Sequence, residues 1–298
     1  MNESAKETAT VVAAHGRRGE LADERGRRLR YLLPGRRMHA VCGDRVQFKP
    51  GAEADTALIT AVCERSNALV RAAETGRRPD LLAANLSLVA VVTAPEPAPD
   101  WFIVDRFVCA AESMRAAVVI VANKCDLGEP DAEVLADYRG LGYPVVATSS
   151  AAGIGLEALA GVFAGHTGVL VGQSGVGKTS LINALVPDAD ALTGRLVNKT
   201  GEGRHTTSAS LMYELPGGGR LIDTPGVRDF IPNLDSVASV ASGFREIFSQ
   251  ARECRFSNCR HLREPGCAVK AAVGTGQIAE RRYESYKRLV NSLPEPGG

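Results

Sequence analysis

The hydrophobic pattern changes character twice along the chain. Residues 11 to about 72 hold short β-prone pieces, namely Thr10–Ala13, Arg28–Leu33, His39–Cys42, Asp44–Phe48, Ala57–Val62 and Ala68–Arg71. Turn signals at Pro34-Gly35, Gly43 and Pro50-Gly51 separate them. About five strands in some sixty residues predict a small β-barrel of the OB type. After Arg77-Arg78-Pro79, which reads as a linker, Leu86–Val92 and Ala116–Ala122 are almost continuously apolar. Such runs belong to strands covered on both faces of a parallel sheet. Further strands are expected at Pro144–Thr148, Gly168–Val171, Ser208–Leu215 and Arg220–Asp223. Helical patterns lie at Trp101–Met114, Asp131–Gly140, Leu156–Phe163 and Ser180–Leu185. This alternation predicts a doubly wound α/β domain. Near the C-terminus, Ile278, Tyr283, Tyr286 and Val290 recur at helical spacing. Three domains follow, with expected boundaries at 1–76, 77–232 and 233–298.

Composition adds compartment and partners. With 298 residues, 45% hydrophobic and 23% charged, the chain has the make-up of a soluble globular protein. No apolar run approaches a membrane span, and the polar start MNESAKETAT has no signal-peptide core, so a cytoplasmic location without membrane attachment is expected. The net charge of +1 is unevenly spread. Residues 1–76 carry thirteen basic against ten acidic side chains, residues 77–232 twelve against seventeen, and residues 233–298 ten against seven. Basic flanks around an acidic centre suit a chain whose ends touch a polyanion. Eight arginines between Arg17 and Arg37 fit phosphate recognition and equally fit a solvated hairpin face.

The chemistry centres on Gly172-Gln173-Ser174-Gly175-Val176-Gly177-Lys178-Thr179, followed by Ser180 and set between a strand and a helix. Glycines let backbone N–H groups curl round phosphates, with the helix N-terminus behind them. Lys178 is expected on the β- and γ-phosphates and Thr179 on Mg²⁺. Asn123-Lys124-Cys125-Asp126 ends another strand. There Asp126 can accept from the N1–H and 2-amino groups of guanine, donors that adenine lacks, so a guanine nucleotide is favoured over an adenine one. Ser149-Ser150-Ala151 fits the loop that supports the base. Asp223-Thr224-Pro225-Gly226 is placed for Mg²⁺ through Asp223 and for the γ-phosphate through Gly226. These four motifs look like those of translation-factor-type GTPases, but their order is rotated. The base-reading motifs precede the phosphate loop, while the cyclic order is kept, which is a circular permutation.

Between the phosphate loop and Asp223 lies Gly203-Arg204-His205-Thr206-Thr207-Ser208, where the first switch is expected. Thr207, or alternatively Thr206, would reach Mg²⁺. Val227 follows Gly226 and cannot orient a water molecule, so His205 is the catalytic candidate; a purely packing role is the alternative. Cys254, Cys259, His261 and Cys267 supply three thiolates and an imidazole within fourteen residues, a closed structural set for one Zn²⁺. Arg252, Arg255, Arg260 and Arg263 interleave with them and favour nucleic acid as the neighbour.

Taken together, Gly43-Asp-Arg-Val46, Arg65–Leu69, the nucleotide motifs, the zinc set and Arg282–Tyr286 resemble the RsgA/YjeQ family of small-subunit-dependent GTPases over roughly residues 10–290. The resemblance implies an OB-fold RNA-binding barrel, a circularly permuted GTPase domain and a zinc-binding helical domain. It implies GTP hydrolysis to GDP late in 30S subunit maturation, binding through 16S rRNA with stimulation by the subunit, and a hydrolytic role for His205. The expected state is a monomer. An RNA-binding scaffold that holds nucleotide with little turnover is the alternative. A membrane-associated signalling GTPase is disfavoured, because neither a lipidation signal nor an apolar anchor is present.

Overall fold

The computed structural model describes residues 7–35, 37–71, 79–187, 189, 209–224, 234 and 236–293. Five strands open the chain, β1 (Glu7–His15), β2 (Arg18–Asp23), β3 (Arg28–Leu32), β4 (Arg45–Pro50) and β5 (Thr56–Val62). They close into a barrel in the order β1-β2-β3-β5-β4 and back to β1, with β3 and β5 parallel and the other pairs antiparallel. Closure removes free strand edges. Strict alternation builds the wall, as in β3, where Leu29 and Tyr31 point inward between exposed Arg28, Arg30 and Leu32.

Two expectations for the barrel are corrected. His39–Cys42 is not a strand, and β2 supplies the missing wall. Only Leu21 of β2 is fully buried, so the polar sequence Arg-Gly-Glu-Leu-Ala-Asp concealed a strand that pairs on both sides. Ala68–Arg71 (β6) does extend, but it pairs with β7 (Asp80–Ala84) as a separate hairpin. Of the expected linker, Arg77 and Arg78 lie outside the described residues.

The central domain contains β8 (Leu88–Thr93), β9 (Ala117–Ala122), β10 (Val145–Ala147), β11 (Thr167–Gly172), β12 (Ser210–Glu214) and β13 (Arg220–Asp223). Their order is β10-β9-β8-β11-β13-β12, parallel except for the β12–β13 pair. Helices α1 (Trp101–Ser113), α2 (Ala132–Gly140), α3 (Leu156–Phe163) and α4 (Lys178–Leu185) accompany it. The continuous apolar run of β8 has a clear cause. Val89 and Val91 enter one core, while Leu88, Ala90 and Val92 enter another on the opposite face.

Barrel and α/β sheet are one hydrogen-bonded surface. A bulge in β1 between Val11 and Ala13 lets Glu7–Thr10 pair with β4, while Ala13 and Ala14 pair with β12. The turn before β4 completes the joint. Gly43 (φ +91°) lies where a Cβ would be 2.0 Å from the Ala84 carbonyl oxygen, so only glycine fits. The Ala84 N–H donates to the Cys42 carbonyl, and the Asn85 amide donates to that of Gly43. Buried Asp44 beside it accepts from Arg65 at 2.6 and 2.8 Å.

The C-terminal region consists of α5 (Val237–Ser242), α6 (Arg245–Ala251), α7 (Ala268–Gly274) and α8 (Glu280–Asn291). Val240, Phe244, Ile247, Val269 and Tyr286 form its core. All four apolar positions expected of the last helical pattern, Ile278, Tyr283, Tyr286 and Val290, are buried. Arg282 is buried with them at 1% exposure. It donates to Asp105 of α1 (2.7 Å) and to both oxygens of Glu246 on α6 (2.8 and 3.1 Å). Arg281 and the Tyr138 hydroxyl also donate to Asp105. Two cations and two anions therefore balance inside the seam between the central and C-terminal regions. Among the described residues no helix is long and apolar enough to cross a membrane.

Removing one member of such a set leaves buried charge uncompensated. Arg282→Ala is expected to cost about 3–5 kcal/mol of unfolding free energy. Chemical denaturation checks this, and a loss below about 1 kcal/mol would show that the acidic partners are hydrated instead.

Candidate nucleotide site and metal centre

In open α/β sheets ligands sit beyond the carboxyl ends of the strands. Here the loops 94–100, 123–126, 148–151 and 172–177 leave the carboxyl ends of β8, β9, β10 and β11, and Asp223 closes β13 beside them. Segments distant in the sequence thus meet at one sheet edge.

Asn123 joins three of the loops. It is fully buried, donates its amide to the Val176 carbonyl at 2.8 Å and accepts from the Thr148 hydroxyl at 3.1 Å. A buried amide must satisfy both ends, so this side chain fixes the spacing between the Asn-Lys-Cys-Asp loop, the Ser-Ser-Ala loop and the glycine loop. Gly177 (φ +94°) is part of the same contact, because a Cβ there would lie 2.4 Å from Asn123 Nδ2. Backbone bonds reinforce the set, from Asn123 N–H to the Thr93 carbonyl and from Cys125 N–H to the Thr148 carbonyl.

Lys178, the first residue of α4, is buried and donates to the carbonyls of Gly172 (2.7 Å) and Gln173 (2.8 Å). Its ammonium therefore sits at the mouth of the glycine loop. Ser174, Gly175, Thr179 and Ser180 are exposed, as are Asp126 and Ala151, whereas Gly172, Val176 and Ser149 are buried. Gln173, Cys125, Ser150 and Asp223 are half-buried. Lys124 takes a left-handed conformation (φ +59°) and donates to the Glu96 carbonyl at 2.7 Å. His205, Thr206, Thr207 and Gly226 lie outside the described residues.

The sequence reading missed two contributors. Thr148 had no motif to mark it, and only its place at the end of β10 could have drawn attention. The Pro-rich stretch 94–99 matches no motif either. Its Pro97 ring lies beside Gly175, and the N–H of Asp100 just beyond donates to the Gln173 side-chain oxygen at 3.1 Å. The loop therefore forms a wall beside the glycine loop.

The second centre lies between α6 and α7. The ligand atoms of Cys254, Cys259, His261 and Cys267 all fall within 4.8 Å of one another. Cys254 and Cys267 Sγ stand 3.4 and 3.5 Å from His261 Nδ1. Burial holds the imidazole below the usual histidine range, which favours the neutral, ligating form. Burial also pushes the Cys259 thiol up to about 12, a shift that a bound cation would reverse. The backbone is braced from outside. Tyr283 and Tyr286 hydroxyls of α8 donate to the His261 and Arg260 carbonyls (2.6 and 2.9 Å). Burial alone would raise the Glu264 carboxyl, but N–H donors from Arg260, Leu262 and Arg263 outweigh it and hold the group down at about 2. This cluster can bind a metal ion.

Comparison with known proteins agrees with this geometry. The family model for the RsgA GTPase matches residues 62–232. The "Small ribosomal subunit biogenesis GTPase RsgA" of Azotobacter vinelandii is 39% identical, covering 93% of this chain and 81% of the relative. Its namesake from Ectopseudomonas mendocina is 40% identical, covering 95% and 83%. Among solved structures, YjeQ from Thermotoga maritima superposes with a TM-score of 0.76 at 31% identity, covering 98% of this chain and 99% of that one. YloQ, described as a circularly permuted GTPase, gives 0.75 at 25% identity, covering 98% and 96%. With barrel, rotated motif order and four-ligand cluster all present in one chain, this protein belongs to the RsgA GTPase family.

Proposed function

We propose that the protein is a GTP hydrolase that binds the small ribosomal subunit, assists its late maturation through 16S rRNA contacts, and is stimulated by it. The observation that carries this is the Asn123 clasp, which gathers the guanine-reading loop and the phosphate loop at one sheet edge. The names of the relatives, small ribosomal subunit biogenesis GTPases, supply the partner.

In this reading Asp126 pairs with guanine, with Lys124 and Cys125 along the base and Ser149, Ser150 and Ala151 beneath it. Residues 172–177 and Ser180 surround the phosphates with N–H groups. Lys178 leaves its loop carbonyls to meet the β- and γ-phosphates, and Gly226 contacts the latter. Thr179, Thr207 and Asp223 offer hard oxygen donors, the set that suits Mg²⁺. The ion would neutralise charge on the transferring phosphoryl group. His205 holds or deprotonates the attacking water. GTP orders the switch segments and hydrolysis releases them. In the same reading residues 1–76 serve RNA binding, 77–232 the GTPase and 233–298 the metal module. The protein acts as a cytoplasmic monomer.

Three thiolates and a neutral imidazole, a soft donor set with no open position, suit one structural Zn²⁺. Its role is to fold a segment too short for a core of its own.

Turnover of GTP by the full chain should rise on adding small subunits, and His205→Ala should abolish most of that rise while leaving GTP affinity nearly unchanged. Equal turnover with and without subunits would instead support the RNA-binding scaffold. Asp126→Asn should weaken GTP and GDP binding about tenfold to a hundredfold, as expected for lost charged hydrogen bonds, without a comparable effect on adenine nucleotides. Titration with labelled nucleotides measures this. Stripping the metal with a chelator should lower the melting temperature and release about one zinc per chain on elemental assay; a chain without zinc that melts unchanged contradicts the structural role.

A further inference from the structure

Large apolar side chains on the described surface are few, and two of them flank the metal centre. Phe248 on α6 is 48% exposed, and Phe256, between the first two ligands, is 39% exposed. Each is accompanied by an arginine. The Arg252 guanidinium lies 5.6 Å from the Phe248 ring centroid, and that of Arg255 lies 5.4 Å from the Phe256 centroid.

Residues 248–263 carry four arginines (252, 255, 260 and 263) against one acid, Glu253. Among the described residues none of the four arginines forms an ion pair. The nearby Glu264 carboxylate is spent on backbone N–H groups of the metal loop. Three thiolates round a divalent ion add only one negative charge, so the surface stays positive. It is also held by the ligand cluster and by the α8 tyrosines, which limits the entropy lost on binding.

An exposed ring beside an uncompensated guanidinium fits one chemistry well. The ring offers a face to a flat partner, and the arginine offers donors to the phosphate next to it. A-form duplex presents phosphates and groove edges but no free base faces, whereas unpaired nucleotides present both. An acidic protein partner would satisfy the arginines without needing two exposed ring faces.

From this we infer that Phe248 and Phe256 are stacking platforms for unpaired RNA bases, with Arg252 and Arg255 on the adjoining phosphates. The inference rests on the reading of the protein as RNA-binding, and it names what the metal module recognises: single-stranded or bulged RNA.

The test uses the zinc-loaded full chain with two fluorescein-labelled probes, a 12-nucleotide uridine oligomer and a 12-base-pair RNA duplex, at matched salt. F248L/F256L should weaken oligomer binding by roughly tenfold or more. Duplex binding should be unaltered, and so should the slope of affinity against salt, because the arginines remain. F248Y/F256Y should restore oligomer binding. Basal GTP turnover and zinc content report that the variants are folded. Leucine variants that bind the oligomer like wild type overturn the inference, as does a wild type that prefers the duplex. Leucine variants that lose small subunits but keep the oligomer also overturn it, and point to a ribosomal protein at this surface. Stimulation of wild-type turnover by small subunits is scored separately, so the functional reading and this inference can fail independently.

Discussion

The candidate nucleotide site is held together by one buried amide. Asn123 has to place both a donor and an acceptor without help from water, and it finds them on Val176 and Thr148, in two other loops. Leaving either unpaired would cost about 1–3 kcal/mol. That penalty fixes the distance between the loop assigned to the base and the loop assigned to the phosphates. It also explains Gly177, since any side chain there would occupy the position of the amide nitrogen. None of these contacts depends on chain order. The rotated order of motifs changes which loops are covalently continuous but leaves the sheet edge where they meet intact.

The rotation does change what lies on either side of the site. β12, the strand that follows the expected first switch, pairs on one edge with β13 and on the other with β1 of the barrel. The Cys42 thiol, in the barrel turn, also donates to the Ser210 carbonyl at the start of β12. The barrel is therefore joined to the central sheet by strand pairing as well as by chain continuity. It is hydrogen-bonded to the strand next to the one that ends at Asp223.

How much of this was legible in the sequence depended on where the partners lay. The strands β8 and β9 were readable because alternate residues enter two cores, leaving no polar phase. Helix α3 was readable to the residue, from its apolar spacing. β2 was not, since a strand with a single buried side chain owes its place to pairing with β1 and β3, and pairing leaves no mark in hydropathy. His39–Cys42 had strand-like composition, but its residues are used in the turn that seats Gly43 against Ala84. The Cys/His cluster and the nucleotide motifs announced themselves by residue type and spacing. Thr148 and the wall formed by residues 94–100 did not, because their roles come from contacts between segments. The periodicity of α8 identified its buried tyrosines, yet it assigned Arg282 to no role. A buried arginine is intelligible only once Asp105 and Glu246 are brought to it from two other helices.

Those same contacts make α8 the element that joins the two centres. Its tyrosines hold the carbonyls of the metal loop, and Arg282, one residue before Tyr283, holds α1 and α6. The start of α1 in turn meets the glycine loop, where Asp100 N–H bonds to Gln173. Contiguity of this kind is not by itself a signal, which would require two arrangements of the elements concerned. It does restrict what those arrangements can be. Pulling α8 away from α1 would break the bonds of Arg281 and Arg282 to Asp105, leaving Asp105 only the Tyr138 hydroxyl and Arg282 only Glu246, at a cost of several kcal/mol. A change of nucleotide would have to supply that much to separate them. Motion of the metal module that keeps α1 and α8 together avoids the cost.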